Sequence, residues 1–171
     1  MKIIEQTLQI VKDNLPPLGT ELGCYTFLTP DTVWTGTVES QRPFVVVAED
    51  TWSDDSGLII IVMADGPVYI AGWNSDDTAK SDYRISLDLS QDSLLNYCAT
   101  DFSKFMQIMN LYLTALENTH CPDIFDEEGM KKCEETERRL RHQIAQIDPS
   151  AIEDVEGLWS TLLEELGSGM I

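Results

Sequence analysis

Along residues 2–13 apolar side chains fall at Ile3, Ile4, Leu8 and Val11, a spacing that predicts a helix ending before Asn14 and the Pro16-Pro17 pair. Beyond the prolines the pattern changes to short runs rich in β-branched and aromatic residues. Cys24–Leu28 and Val33–Val38 read as strands around a Thr29-Pro30-Asp31 turn, and Phe44–Ala48, Leu58–Met63 and Val68–Trp73 as three more. Asp65-Gly66 between the last two is a hairpin signal, because glycine tolerates the positive φ of a tight turn. In the next stretch Tyr83, Ile85, Leu87 and Leu89 alternate with Arg84, Ser86 and Asp88, the pattern of a strand with one wet face.

After Ser90 the period lengthens to that of a helix. Phe102, Phe105, Met106, Met109, Tyr112, Leu113 and Leu116 form one stripe, widened by Ile108 and Leu111, so a largely buried helix is expected behind an Asp101 N-cap. A second helix is expected from Asp126 to Ile147, with Met130, Cys133, Leu140, Ile144 and Ile147 inward and Asp148-Pro149 ending it. Asp154 is the expected cap of a last helix carrying Val155, Leu158, Trp159, Leu162 and Leu166, stopped at Gly167. A block of strands followed by a block of helices predicts an α+β fold in a single domain, residues 1–171. Its sheet is antiparallel or mixed, of roughly five to six strands, with helices packed on it.

The chain has 171 residues, 43% of them apolar, which suits one globular core and excludes intrinsic disorder. Charge changes the picture. Thirty acids against eleven bases leave a formal net charge of −19, which repels nucleic-acid phosphates and anionic membranes and favours a basic protein partner. From Asp13 to Met130 twenty acids face only Arg42, Lys80, Arg84 and Lys104, while five of the eleven bases crowd into Lys131–Arg141. The sheet-forming part is therefore the main source of the acidic field. The start of the chain lacks a secretory pattern and no apolar run reaches membrane-spanning length, so a cytoplasmic location is expected. Four widely spaced cysteines, Cys24, Cys98, Cys121 and Cys133, then read as reduced thiols serving mainly in packing.

Catalytic signals are thin. His120, Cys121, Cys133 and His142 match no common zinc spacing. The aspartate-rich loops lack the alternating ligands of a calcium loop, and neither a glycine-rich phosphate loop nor a nucleophile elbow occurs. The expectation is a non-enzymatic protein without metal or cofactor. Trp52 stands directly before Ser53-Asp54-Asp55, and Trp73 directly before Asn74-Ser75-Asp76-Asp77. An aromatic ring beside paired carboxylates suits a surface that grips a basic partner, the ring supplying buried area and the acids steering. Trp52, Asp54, Asp55, Trp73, Asp76 and Asp77 are thus the candidate partner-binding residues. The competing reading is that both tryptophans cap the core from inside and the acids serve solubility.

In the helical half, Asp148-Pro149-Ser150-Ala151-Ile152, an acidic spacer, Leu158-Trp159-Ser160-Thr161-Leu162-Leu163-Glu164-Glu165 and a closing Gly-x-Gly stand in order. Together with Leu95-Asn96-Tyr97 leading to Phe102 and Phe105, this resembles the SUKH superfamily, most closely its immunity proteins of bacterial polymorphic-toxin systems. The resemblance covers about residues 83–171. It implies a SUKH-like α+β fold and a cytoplasmic antidote that binds and blocks a toxin domain of nuclease or nucleic-acid deaminase type. An acidic chaperone for a secreted effector and a small hydrolase using His120 or an aspartate cluster are the alternatives. The Leu140/Ile144/Ile147 stripe is compatible with a monomer or a homodimer.

Overall fold

The computed structural model describes residues 3–50, 55–77, 84, 87–120, 123 and 126–170 in full, and Lys2 and residues 51–53 by their backbone. The fold is α+β, and the chain divides into two compact units, Met1–Tyr97 and Cys98–Ile171. The first unit opens with α1 (Lys2–Asn14) and continues through β1 (Glu21–Leu22), β2 (Tyr25–Phe27), β3 (Trp34–Val38), β4 (Arg42–Ser53), β5 (Ser56–Met63), β6 (Val68–Asn74) and β7 (Asp88–Leu89). Strand β8 (Leu94–Ala99) runs across the division between the units. The hydrogen-bonded order is β1-β2-β4-β5-β6-β8, with β3 on β4 and β7 on β3. The β3–β7 pair is parallel, whereas β1–β2, β2–β4, β3–β4, β4–β5 and β5–β6 are antiparallel.

The 12-residue β4 organises this sheet. Along one edge its first half pairs with β3, from Val38↔Arg42 to Trp34↔Val46, and its second half pairs with β2 through Phe27↔Ala48 and Thr26↔Glu49. The change of partner coincides with a bulge, because Val46 and Ala48 oppose the consecutive residues Ile61 and Ile60 and leave Val47 as the extra residue. A bulge bends its strand and sharpens the twist, and here the Val47 carbonyl turns to accept from Leu28 N at 2.9 Å. The inner face collects Phe44 and Val46 from β4, Ile59, Ile61 and Met63 from β5, and Ala71 and Trp73 from β6. Val38, Leu87 and Leu89 join the same cluster, so the sheet curls around it. Each buried Val, Leu, Ile, Phe or Met side chain contributes about 1.5–3 kcal/mol by leaving water.

Two details tighten the curl. Gly36 opposes Phe44 on β4, and a Cβ there would stand 2.5 Å from Phe44 Cζ and 2.9 Å from the Leu87 carbonyl oxygen. Only a residue without a side chain lets β3, β7 and the ring approach this closely. The β3–β4 turn places Glu39 and Ser40 at φ of 51° and 56°, left-handed values that strain non-glycine residues. Asp88 on β7 holds that turn: it accepts from Ser40 N at 2.7 Å, Thr37 Oγ1 at 2.9 Å and Ser40 Oγ. Hydrogen bonding from the Ser40 hydroxyl, chiefly, keeps the Asp88 carboxyl below its ordinary pKa; the Ser40 amide and Thr37 act the same way against partial burial.

The second unit carries α2 (Phe102–Glu117), α3 (Glu127–Ile147), a 3-10 turn at Pro149–Ile152 and α4 (Leu158–Gly167). Asp101 caps α2 by accepting from Lys104 N at 2.8 Å, and Asp126 caps α3 by accepting from Gly129 N at 2.9 Å. Trp159 is fully buried on α4. Its ring centroid lies 5.5 Å from that of Phe105, and its Nε1 donates to the Cys98 carbonyl at 2.8 Å. Asp148, only 1% exposed, accepts from Thr100 N and from Ser150 Oγ, each at 2.6 Å. It thereby ties the end of α3 to the start of α2.

The sheet has eight strands, two beyond the five to six expected. β1 is a two-residue strand, and β8 lies beyond Ser90, where the sheet was expected to end. Of the strand expected over Tyr83–Leu89, Asp88–Leu89 is strand and Arg84 has helical backbone; Tyr83, Ile85 and Ser86 lie outside the described residues. Asp154 does not cap the last helix. Its carbonyl accepts from Gly157 N in a preceding turn, Gly157 is the N-cap, and Val155 is 75% exposed outside the helix.

Candidate functional site

The two acidic loops singled out in the sequence meet at one end of the sheet. Strands β4 and β5 turn tightly between Ser53 and Ser56, with Thr51 opposite Gly57. Across β5, Gly57 opposes Trp73 and Ser56 opposes Asn74, which brings the end of β6 beside that turn. Ser75 N donates to the Asp55 carbonyl at 2.8 Å, so the two loops are joined directly. The 3-10 turn Ser75–Asp77 is held by two further bonds: Asn74 N donates to Asp77 Oδ2 at 2.8 Å, and Asp76 N donates to Asn74 Oδ1 at 2.9 Å. Asp55 and Asp76 are exposed and Asp77 is half-buried. Asp54 and the side chain of Trp52 lie outside the described residues.

Trp73 corrects the expectation of an exposed ring. It is 3% exposed and belongs to the inner cluster with Ala71, its neighbour two residues back on the same face. A side chain in that position anchors the acidic end from within and offers no contact area to a partner.

The structure adds residues to this end that the loop motifs did not reveal. Asp50 opposes Leu58, and Glu49 opposes both Thr26 on β2 and Ile59 on β5. The Glu49 side chain is 11% exposed. Its Oε1 accepts from Trp34 Nε1 at 2.9 Å and from Arg84 Nε at 3.4 Å, and its Oε2 accepts from Arg84 Nη2 at 2.9 Å. Glu21 continues the row, since it opposes Thr26, which in turn opposes Glu49. Their signal in the sequence was slight: an adjacent Glu49-Asp50 closing an apolar run.

The chain matches no protein-family model, no curated protein and no solved structure.

Of the residues weighed for catalysis, His120 and Cys133 line one cleft and His142 does not. A cleft of about 660 Å³ between the end of α2 and the start of α3 is lined by His120, Asp123, Asp126, Lys132, Cys133 and Arg139, among others. Cys133 is buried and His142 is exposed. Nine residues along a helix is two and a half turns, which puts those two on opposite sides of α3. Cys121 lies outside the described residues. Among the described residues no group of three or more His, Cys, Asp or Glu side chains is placed to hold a metal ion, and no helix is long and apolar enough to cross a membrane.

Proposed function

We propose that this chain is a protein-binding module that docks the acidic end of its curled sheet onto a basic partner. The observation that carries the reading is the direct hydrogen bond joining the Ser53–Ser56 turn to the Ser75–Asp77 turn. It sets Asp55, Asp76 and Asp77 side by side, so their fields add and steer a cationic surface toward them. The partner-binding set is Asp50, Trp52, Asp54, Asp55, Asp76 and Asp77, with Trp73 as the buried footing. The resemblance of the helical half to SUKH immunity proteins supplies the biology: the partner is a toxin domain whose cleft takes a nucleic-acid backbone, and carboxylates fill the places of phosphates.

The first test is the gene neighbourhood, where an adjacent toxin gene is expected; the toxin domain it encodes is then paired with the chain. Co-expression should restore growth, and association should slow as salt rises. Changing Asp54, Asp55, Asp76 and Asp77 together to Asn should lower the on-rate at low salt and flatten the salt slope. An unchanged rate and slope would move the interface elsewhere, and failure of the intact chain to restore growth would refute the antidote role.

A further inference from the structure

At the inner rim of the acidic end the chain already holds a guanidinium group, and the manner in which it does so is informative. The Glu49 carboxylate is nearly enclosed, whereas the Arg84 side chain that meets it is 54% exposed. Arg84 approaches side-on, offering Nε to one carboxylate oxygen and Nη2 to the other. This two-point geometry is available to arginine and not to lysine. The Trp34 indole on β3 also holds the carboxylate, by donating to Oε1. The acid is therefore preorganised, and its cation comes from the solvent side. An ion pair with so exposed a member contributes little net stability and exchanges readily.

We infer that the Glu49–Trp34 notch is an arginine-binding subsite, filled by Arg84 in the free protein and by an arginine side chain of the partner in the complex. The inference rests on the reading of the acidic end as a docking surface and names the group it takes there. Arg84 is then an internal competitor: it supplies the counter-charge to a nearly enclosed carboxylate before binding, and it gives way to the partner's guanidinium. The basis for selectivity is geometric, so arginine-rich partners are preferred over lysine-rich partners of equal charge.

The test uses nona-arginine and nona-lysine peptides as probes in calorimetric titrations of the full chain. Arg84→Ala should bind nona-arginine about two- to fivefold tighter than the unchanged protein, the equivalent of one partly exposed ion pair. Nona-lysine should gain less. Arg42→Ala removes the same charge from a residue paired with Asp65, and its smaller gain sets the contribution of net charge alone. Arg84→Lys keeps the net charge but loses the two-point contact, so a smaller gain is expected from it, and it serves if Arg84→Ala fails to fold. Adding Glu49→Gln to either variant should abolish the gain. A gain no larger than that of Arg42→Ala, an equal gain for nona-lysine, or a gain that survives Glu49→Gln overturns the inference. Changing Asp55, Asp76 and Asp77 together to Asn is the separate arm: unchanged nona-arginine affinity there refutes the acidic-end reading itself.

Discussion

Replacing Asp148 by alanine should destabilise the protein by about 3 kcal/mol at neutral pH. The carboxylate is buried and accepts two hydrogen bonds of 2.6 Å, one from the Thr100 amide and one from the Ser150 hydroxyl. A hydrogen bond to a charged group contributes about 1.5–3 kcal/mol, and stranding its buried partner costs more. Thr100 is exposed and Ser150 half-buried as residues, so water recovers part of that loss and keeps the total near the lower end. For a chain of this length the change lowers the melting temperature by roughly 6–12 °C. Burial pushes the Asp148 carboxyl pKa up, but hydrogen bonds from Ser150 and Thr100 and the charge of Lys104 outweigh it and hold the pKa below the ordinary value. A depressed folded-state pKa gives stability that is complete above the unfolded value, about 3.9, and is lost as pH falls through the folded value. Urea unfolding followed by circular dichroism at pH 7 and at pH 3 measures both effects. The gap between wild type and Asp148→Ala should be widest at pH 7 and narrow at pH 3. A gap under about 0.5 kcal/mol at pH 7, the size of an ordinary surface substitution, or one that does not change with pH, would refute the assignment.

Gly36→Ala should cost about 1–3 kcal/mol by overpacking against Phe44 and the Leu87 carbonyl, read as a lower urea midpoint. Glu39→Asn should stabilise by roughly 0.5–1 kcal/mol in the same assay, because asparagine tolerates the left-handed turn that glutamate occupies at φ 51°. Burial, reinforced by the charge of Glu165, pushes the Tyr112 hydroxyl pKa up to about 12. Its raised value means that stability is full below the unfolded pKa of about 10 and is lost as pH rises from there toward 12. Titration of phenolate absorbance should show a late component that Tyr112→Phe removes.

The helices were legible because two local signals agreed. α2 and α3 each have an apolar stripe of helical period, and the aspartate before each accepts from the amide three residues on. The last helix was misplaced at its start because Asp154 resembles a cap but makes a separate turn, with its Oδ1 accepting from Glu156 N. Strand β7 was overdrawn because Leu87 and Leu89 alternate correctly, while its pairing is a short parallel contact with a strand about fifty residues earlier. The hydrophobic pattern did not give β8, because Leu94-Leu95-Asn96-Tyr97 shows no alternation, whereas the resemblance of Leu95-Asn96-Tyr97 to a strand-to-helix passage implied a strand there. Trp73 was misread for a different reason: its sequence neighbours are Asn74-Ser75-Asp76-Asp77, whereas its neighbours on the face are Ala71 and the cluster below. Strand period already carried that answer. Nothing local connected Glu49 with Trp34 and Arg84, which lie 15 and 35 residues away.

The placement of the acids follows from the same alternation that buries Trp73. A strand that sends Ala71 and Trp73 inward ends its apolar row at the rim, and the next residues must turn back in water. Polar turn residues are therefore required at that end, and aspartate and asparagine meet the need because their side chains bond backbone amides two or three residues away, as Asn74 and Asp77 do here. The acids form turns first and a field second. The turns are short, cross-bonded to each other and footed on a buried tryptophan, and the Asp77 carboxylate is fixed by the Asn74 amide. Ordering entropy is one of the main costs of association, so on the proposed docking reading the bonded turns lower that cost relative to an equally charged loop without such bonds. Glu49 extends this principle inward: an internal arginine keeps its carboxylate in the geometry that an external arginine would need.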